Sequence, residues 1–147
     1  MKKSMLILVS GVSLMFGGNA VAADTPAGLD GVTVVDVAKA KALNDGGAKM
    51  IDTRVAAEYA EGHIAGAISV PYKEKSPKTA DADLSLDSFD LGKLPADKNA
   101  ALVMYCNGPE CWKSYKGAKA AVKAGWKKVN WLRSGFPAWK AKGLPAE

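Results

Sequence analysis

The sequence predicts an α/β domain built on a parallel β-sheet. Short apolar or β-branched runs alternate with segments of helical periodicity along most of the chain. In residues 101–124 the apolar run ALVMY precedes a loop with Gly and Pro and then a helical pattern with lysines on its opposite face. Strands that alternate with helices form parallel sheets covered by helices on both sides.

Each element follows from local patterns. The expected strands cover residues 32–35, 49–52, 67–70, 101–105 and 128–132. The expected helices lie within residues 37–44, 53–64, 114–124 and 137–142. Asp36 is expected to cap the first helix and Gly46 to end it. Residues 72–98 are polar and contain two prolines, and they either shape a pocket or only connect strands.

The N-terminal residues 1–23 have the pattern of a signal peptide. Lys2 and Lys3 precede an apolar run that is too short to span a membrane comfortably, and small residues at positions 20–22 follow at the spacing of a signal-peptidase site. We expect cleavage there and export to the periplasm. Residues 24–31 are then a flexible leader, and residues 32–147 form a single domain.

Charge and composition argue against a role in nucleic-acid binding. The chain has 20 Lys+Arg and 15 Asp+Glu, and removal of Lys2 and Lys3 leaves a net charge of +3. The excess comes from lysines interleaved with alanines and tryptophans, as on solvated helix faces, with a modest preference for anionic ligands. An exported domain without a basic arm is not expected to bind nucleic acid. We expect a monomer with no membrane contact after cleavage of the signal.

Cys106 is the candidate nucleophile. It directly follows the apolar strand 101–105 and precedes a helix, and α/β proteins bind ligands at the carboxyl ends of their strands. Backbone N–H groups and the helix dipole at such a place favour a thiolate or another anion.

Two motifs flank this unit, IDTRVAAEYAEGHIAGAISVPY and WLRSGFPAWKAKGLP. They resemble the opening and closing signatures of the rhodanese-like (sulfurtransferase) domain family. The matching residues of the first motif are Asp52, Arg54, Glu58, Tyr59, Gly62, His63, Ile64, Gly66, Ala67 and Pro71. Those of the second are Leu132, Gly135, Phe136, Trp139, Gly143 and Pro145, while Ser134 replaces a glycine. The resemblance implies a three-layer fold with a central, mostly parallel five-stranded sheet flanked by helices.

The resemblance also implies an activity of the thiosulfate sulfurtransferase type. Cys106 would accept sulfur from a small anionic donor such as thiosulfate, hold it as a persulfide, and pass it to cyanide or to a thiol, including a protein thiol. The residues expected to bind substrate are Asn107, Gly108, Pro109, Glu110, Cys111, Trp112, Lys113 and Arg54. No cofactor is implied, and one histidine and two cysteines are too few ligands for a closed metal site.

The loop after Cys106 departs from the family pattern. Lys113 stands seven residues after Cys106, which makes the loop two residues longer than in common rhodaneses. Longer loops occur in the related dual-specificity phosphatases, which need an arginine to bind phosphate bidentately. The loop CNGPECWKS contains no arginine, which argues against phosphatase activity.

Several neighbours of the site have a structural interpretation as well. The resemblance implies that His63 bonds to backbone. We expect Trp126, Trp131 and Trp139 to pack in the core. An ion pair between Arg54 and Glu58 would shape the wall of the crevice. Trp112 either lines the mouth of the pocket or folds back onto the domain.

The second cysteine leaves three alternatives. Cys111 could be a thiol that resolves the persulfide or protects Cys106 in a reversible disulfide. The pair could instead be a redox centre, or Cys111 could be a packing residue. A disulfide requires Cα atoms within roughly 7 Å. Two functions therefore compete with sulfur transfer, a thiol-disulfide redox protein and a non-catalytic rhodanese-like binding module.

Overall fold

Strands and helices alternate along residues 23–147, which are the part of the chain that the computed structural model describes. The strands are β1 Val32–Val34, β2 Lys49–Asp52, β3 Ile68–Ser69, β4 Ala101–Tyr105 and β5 Lys128–Leu132. The helices are α1 Val37–Asp45, α2 Ala56–Glu61, α3 Trp112–Lys123 and α4 Gly135–Ala141. Of the predicted signal peptide, all but Ala23 lies outside the described residues. No helix in 23–147 has the length and apolar character needed to cross a membrane.

The five strands form one sheet in the order β1-β5-β4-β2-β3, and every neighbouring pair is parallel. The predicted α/β fold with a five-stranded sheet is confirmed. In the central strand, Tyr105 is in register with Asp52 of β2 and with Leu132 of β5. Since parallel strands end at the same edge of the sheet, the residues that follow these three positions meet there.

Two apolar cores lie on the two faces of the sheet. Side chains of β4 alternate between them, as the pleat requires. Val103 and Tyr105 pack in the core below α1 and α4, whereas Leu102 and Met104 pack in the core below α3. The tryptophans expected in the core, Trp126, Trp131 and Trp139, are all buried. The result is the three-layer arrangement that the motifs implied.

Helices α3 and α4 begin earlier than the sequence predicted. Helix α1 begins as predicted, because the Asp36 carboxylate accepts a hydrogen bond from the Lys39 amide at 2.7 Å. Helix α3, however, begins at Trp112 rather than Ser114, and α4 begins at Gly135 rather than Pro137. The turn before α3 is closed within the loop after β4, and the start of α4 is bonded to that loop. Local periodicity reports neither contact.

The connection between β3 and β4 lies against α3. Lys116 of this helix is fully buried, and its ammonium donates to Ser76 Oγ and to Pro77 O, each at 2.8 Å, and pairs with Glu74 at 2.8 Å. In the same connection the Asp87 carboxylate accepts hydrogen bonds from the Tyr72 hydroxyl and the Ser76 hydroxyl, both at 2.6 Å. Buried polar contacts therefore hold this otherwise irregular segment.

Candidate functional site

The site is built on a buried ion pair at the carboxyl end of β2. Arg54 Nη2 donates to Asp52 Oδ2 at 2.7 Å and also to Gly62 O at 2.7 Å. Arg54 Nε reaches Asp52 Oδ1 at 3.0 Å, and the Tyr105 hydroxyl donates to Asp52 Oδ2 at 2.8 Å. Arg54 is 4% exposed and Asp52 is completely buried. Such a fork of hydrogen bonds is what allows a buried charge pair to persist.

The surroundings of Arg54 and Tyr105 favour the protonated form of both side chains. Burial by itself lowers the pKa of Arg54, but the hydrogen bonds and charge of Asp52 outweigh it and raise that pKa. Burial, followed by the charge of Asp52, raises the pKa of the Tyr105 hydroxyl far above its usual value. Tyr105 therefore remains a hydrogen-bond donor at any physiological pH, and Arg54 remains a cation.

Asn107 joins this ion pair to the loop after β4. Arg54 Nη1 donates to Asn107 Oδ1 at 3.4 Å, and Asn107 Nδ2 donates to Glu58 Oε2. The predicted ion pair between Arg54 and Glu58 is wrong, because the guanidinium folds back onto Asp52 and the Glu58 carboxylate is bonded to the Asn107 amide. The wall of the crevice is therefore shaped by Asn107, which connects the two side chains.

Cys106 and Cys111 form a disulfide. Their Cα atoms lie 6.3 Å apart, within the range expected for a bridge. Cys106 is only 1% exposed, whereas Cys111 is partly exposed and occupies the N-cap position of α3. The Cys111 amide donates to Gly108 O at 3.1 Å and thereby closes a turn within the loop. Because that turn leads directly into the helix, α3 starts two residues earlier than predicted.

The loop after β5 presses against the disulfide loop. Gly135 has a φ of 74°, and a Cβ at this position would lie 2.5 Å from Cys106 O and 2.7 Å from Gly108 N. Only glycine fits such a close approach between two backbones. Phe136 N donates to Cys106 O at 2.9 Å. Ser134, which replaces a glycine of the family motif, has φ −68° and ψ −19°, an ordinary conformation for serine.

The other side of the loop is covered by the chain that precedes β1. Thr25 is 2% exposed, and both its amide and its hydroxyl donate to Pro109 O, at 2.8 and 2.6 Å. Arg133 Nη2 donates to Thr25 O at 2.6 Å, and Trp112 Nε1 donates to Ala23 O at 3.0 Å. The leader predicted as flexible is thus attached to the domain at Thr25. Trp112 is buried and folds back onto the domain, rather than lining a pocket mouth.

A cleft of about 590 Å³ opens beside the start of the loop. Of the residues predicted to bind substrate, it is lined by Arg54 and Asn107, while Pro109 lies in a separate depression next to Arg133. Lys113 is partly exposed in the first turn of α3. The cleft also contains charged side chains outside the predicted set, namely Glu58, Glu61, Lys140 and Glu147. Two cations therefore face three carboxylates, so the cleft does not attract an anion by its net charge.

His63 has the structural contacts that the sequence suggested. Its Nδ1 donates to Tyr59 O at 2.8 Å, and its ring stacks on that of Tyr59 with centroids 3.7 Å apart. On the outer side, His63 Nε2 lies 3.5 Å from Glu147 Oε1. Within residues 23–147, three or more His, Cys, Asp or Glu side chains do not come together in any group that could hold a metal ion.

Comparison with known proteins agrees with this geometry. Residues 36–142 match the family described as the Rhodanese-like domain. This chain belongs to the rhodanese-like domain family. The family resemblance inferred from the motifs around Arg54 and Gly135 is thus confirmed, and the fold agrees with it.

Individual relatives are distant. The chain is 29% identical to Thiosulfate sulfurtransferase 18 of Arabidopsis thaliana over 117 residues, which are 78% of this chain and 82% of that protein. It is 31% identical to the HTH-type transcriptional regulator Rv0324 of Mycobacterium tuberculosis over 98 residues, 67% of this chain but only 37% of the regulator. A crystal structure of the Alr3790 protein from Anabaena has 27% identity and a TM-score of 0.57, and covers 77% of this chain and 90% of that one. The sulfurtransferase class is therefore supported at the level of the family.

Sequence reasoning missed residues that approach the loop from a distance in the chain. Arg133 directly follows β5, and its place at a strand end was a usable signal. Thr25 lies 84 residues from Pro109 in a polar segment without periodicity, so no pattern indicated it. Lys140 is one of many lysines on helix faces, and only the structure sets its ammonium 4.7 Å from the ring centre of Phe136 at the cleft.

Proposed function

We propose that this chain is a periplasmic sulfurtransferase that moves sulfane sulfur from thiosulfate or a similar donor through a persulfide on Cys106. The observation that carries the proposal is the position of Cys106, which directly follows the central strand β4. The sequence relationship to a protein named thiosulfate sulfurtransferase supports the same class. Export to the periplasm rests on the residue pattern of positions 1–23.

The first step requires a free thiolate. Once the disulfide has been reduced, the Cys106 thiolate attacks the outer sulfur of thiosulfate, the sulfur–sulfur bond of the donor breaks, and sulfite leaves. The product is a Cys106 persulfide anion. Loop amides and the N-terminus of α3, which starts next to the disulfide, are the groups that stabilise its charge.

The second step passes the outer sulfur to an acceptor. Cyanide attacks this sulfur, leaves as thiocyanate, and regenerates the Cys106 thiolate. A thiol acceptor would instead become a persulfide. The Cys111 thiolate, from the same loop, could also attack Cys106 Sγ, in which case hydrosulfide leaves and the Cys106–Cys111 disulfide re-forms.

The disulfide should block activity until it is reduced. Cys106 has no free thiolate while it is bonded to Cys111, so the oxidised protein should not transfer sulfur until a dithiol such as dithiothreitol reduces it. The Cys111→Ser variant cannot form the bond and should be active without any reductant. Cys106→Ser should be inactive under both conditions. Thiocyanate formation from thiosulfate and cyanide measures all three proteins.

The paired variants separate the outcomes. Both remove the disulfide, so a difference in their activity does not arise from its loss. Equal activity of the wild type and Cys106→Ser would overturn the assignment of the nucleophile. An inactive, folded and fully reduced wild type would overturn the proposed sulfur transfer.

A second candidate function is thiol-disulfide exchange, and the observed bond is what favours it. A redox protein would cycle between the dithiol and the disulfide without holding sulfur. Mass spectrometry of protein incubated with thiosulfate after reduction distinguishes the two. A persulfide adds one sulfur, about 32 Da, and is removed by dithiothreitol, whereas the disulfide only removes two hydrogens.

A further inference from the structure

The disulfide presents its two residues very differently to the solvent. Cys106 is 1% exposed, while Cys111 is partly exposed and stands beside the exposed Glu110. An external thiolate must approach the sulfur that it attacks, so access helps to decide which sulfur reacts. This asymmetry is a property of the fold, because the two cysteines are only five residues apart in the chain.

The buried end is also held in place. Cys106 O accepts the amide of Phe136 at 2.9 Å, and the backbone at Gly135 packs so closely that a Cβ would lie 2.5 Å from the same oxygen. The middle of the loop is held from the other side, where Thr25 donates twice to Pro109 O. Cys106 therefore cannot swing outward to meet a bulky thiol without disturbing both neighbours.

The Cys111 end of the disulfide is partly exposed. Cys111 occupies the N-cap position of α3, and its side chain makes no capping hydrogen bond to the helix. Because Cys111 is partly exposed, a group attached to it has a path to solvent. A group of the same size on Cys106 would have to be placed inside the domain, against the apolar core that packs around the end of β4.

We propose that an external thiol reduces this disulfide by attacking Cys111, with Cys106 as the leaving group. The attacking thiolate forms a new sulfur–sulfur bond to Cys111 Sγ, the Cys106–Cys111 bond breaks, and its electron pair stays on Cys106 as the thiolate. A second thiol of the reductant then attacks its own sulfur in the mixed disulfide and expels Cys111. The reductant is oxidised to a disulfide, and both cysteines are reduced.

The proposal assigns a role to Cys111 and a class of partner to the protein. The partner is a dithiol reductant, and Cys111 receives it while Cys106 is set free for the sulfur donor. The purpose of this step rests on the sulfurtransferase function proposed above, but its chemistry does not. Even without sulfur transfer, the direction of attack would follow from the burial of the two cysteines.

The test uses reduced glutathione as the attacking thiol. Oxidised wild-type protein is mixed with glutathione for short times, quenched with acid, and alkylated with N-ethylmaleimide. Proteolysis after Glu110 separates the two cysteines, and mass spectrometry shows which carries glutathione and which the maleimide. We expect glutathione on Cys111 and maleimide on Cys106, in at least tenfold excess over the reverse arrangement.

The matched control is the same oxidised protein in denaturant. Unfolding removes the difference in access, and the preference should fall to within about threefold of equal attack. A native preference for Cys106, or equal attack in the native protein, would overturn the proposal. So would the failure of glutathione to attach to Cys111 of the native protein under conditions where the denatured control reacts. Because no sulfur donor is present, these results do not depend on sulfurtransferase activity, which the thiocyanate assay measures separately.

Discussion

The domain buries the side chains of two cations, Arg54 and Lys116. The first lies beside the candidate site, and the second lies within the scaffold. Arg54 lies at the carboxyl end of β2 with Asp52, and its remaining Nη1 reaches Asn107 in the disulfide loop. Lys116 lies in α3 with Glu74, and its other hydrogen bonds end on Ser76 and Pro77 within the preceding connection. The first cluster faces the open cleft, whereas the hydrogen bonds of the second end within the domain.

Residues 72–98 belong to the scaffold of the domain. Their buried polar groups contact α3 and each other, and none of them lines the cleft beside Arg54. The segment therefore connects β3 to β4 and covers α3, rather than shaping this cleft. A buried charge is expensive unless it is paired, so both clusters should matter for stability, but only the Arg54 cluster should matter for sulfur transfer.

The largest effect is expected for Lys116→Ala. It leaves Glu74 without its buried partner, although Lys78 still pairs with that carboxylate from the surface. We expect a loss of about 3–5 kcal/mol in the free energy of unfolding, measured by urea titration of the oxidised protein. Activity per folded molecule should not change. Lys119→Ala, one turn further along α3, removes only an exposed hydrogen bond and should cost less than about 1 kcal/mol. Equal losses in the two variants would contradict the buried role of Lys116.

Arg54→Lys should affect both properties. Lysine keeps the charge but loses the planar fork that reaches Asp52, Gly62 and Asn107 together. We expect a loss of about 2–3 kcal/mol in stability from the weakened charged hydrogen bonds. Because Asn107 loses its contact with Arg54 and keeps only the one with Glu58, thiocyanate formation by the folded, reduced variant should also fall about ten- to a hundredfold. If activity per folded molecule were unchanged, the two cation clusters would have the same, purely structural role.

Asp87→Asn tests the buried polar contacts of residues 72–98, because Asp87 bonds to Ser76. The measured quantity is the pH dependence of the free energy of unfolding. Burial raises the pKa of Asp87, but hydrogen bonds from Ser76, Tyr72 and backbone amides outweigh it and lower that pKa well below the usual 3.8. The ionised group therefore adds stability above about pH 4, which is lost as the pH falls towards the folded-state pKa.

We accordingly expect Asp87→Asn to cost about 1.5 kcal/mol at pH 7, by urea titration. The difference from the wild type should become smaller as the pH is lowered below 4. A difference that stayed constant down to pH 2 would show that the charge of Asp87 is not what matters.

The smallest effect is expected for Thr25→Val, which changes a contact with the loop between Cys106 and Cys111. Valine has nearly the same shape but loses the hydroxyl that donates to Pro109 O and accepts from Arg133 Nε. The backbone contact of residue 25 remains, so we expect a loss of about 1 kcal/mol, or about 4 °C in Tm of the oxidised protein. Thr33→Val, at an exposed position of β1, is the control and should leave Tm unchanged. Identical Tm values for the two variants would mean that the Thr25 hydroxyl does not stabilise the covered loop.

Much of the fold could be predicted from local patterns. The apolar run at 101–105 and the strong match of the flanking motifs indicated a parallel sheet with Cys106 at the end of a strand, and the structure has that arrangement. The capping carboxylate of Asp36 was also predictable, because its partner lies three residues away. The backbone contact of His63 was implied by the family resemblance. The role of Cys106 as nucleophile stays a prediction until the variants are assayed.

The errors share a physical cause. The partner of Arg54 was predicted as Glu58, but Arg54 bonds to Asp52 at the end of β2 and the Glu58 carboxylate is bonded to the Asn107 amide. The start of α3 was predicted two residues late, because a turn closed by Cys111 is not visible as periodicity. In each case a hydrogen bond that depends on the folded path of the backbone decided the outcome, and periodicity does not report such bonds.

The sequence by itself therefore determined the α/β class, the family, and the place of Cys106 after a buried strand, since all three depend on periodicity and on short motifs. Only the tertiary structure decided that Cys106 is the buried end of its disulfide and Cys111 the accessible one. The loop that carries both cysteines is held by Gly135 and Thr25, which reach it from opposite ends of the chain. The burial of a residue depends on contacts with residues that are distant in the chain, so the sequence of the loop alone does not predict it.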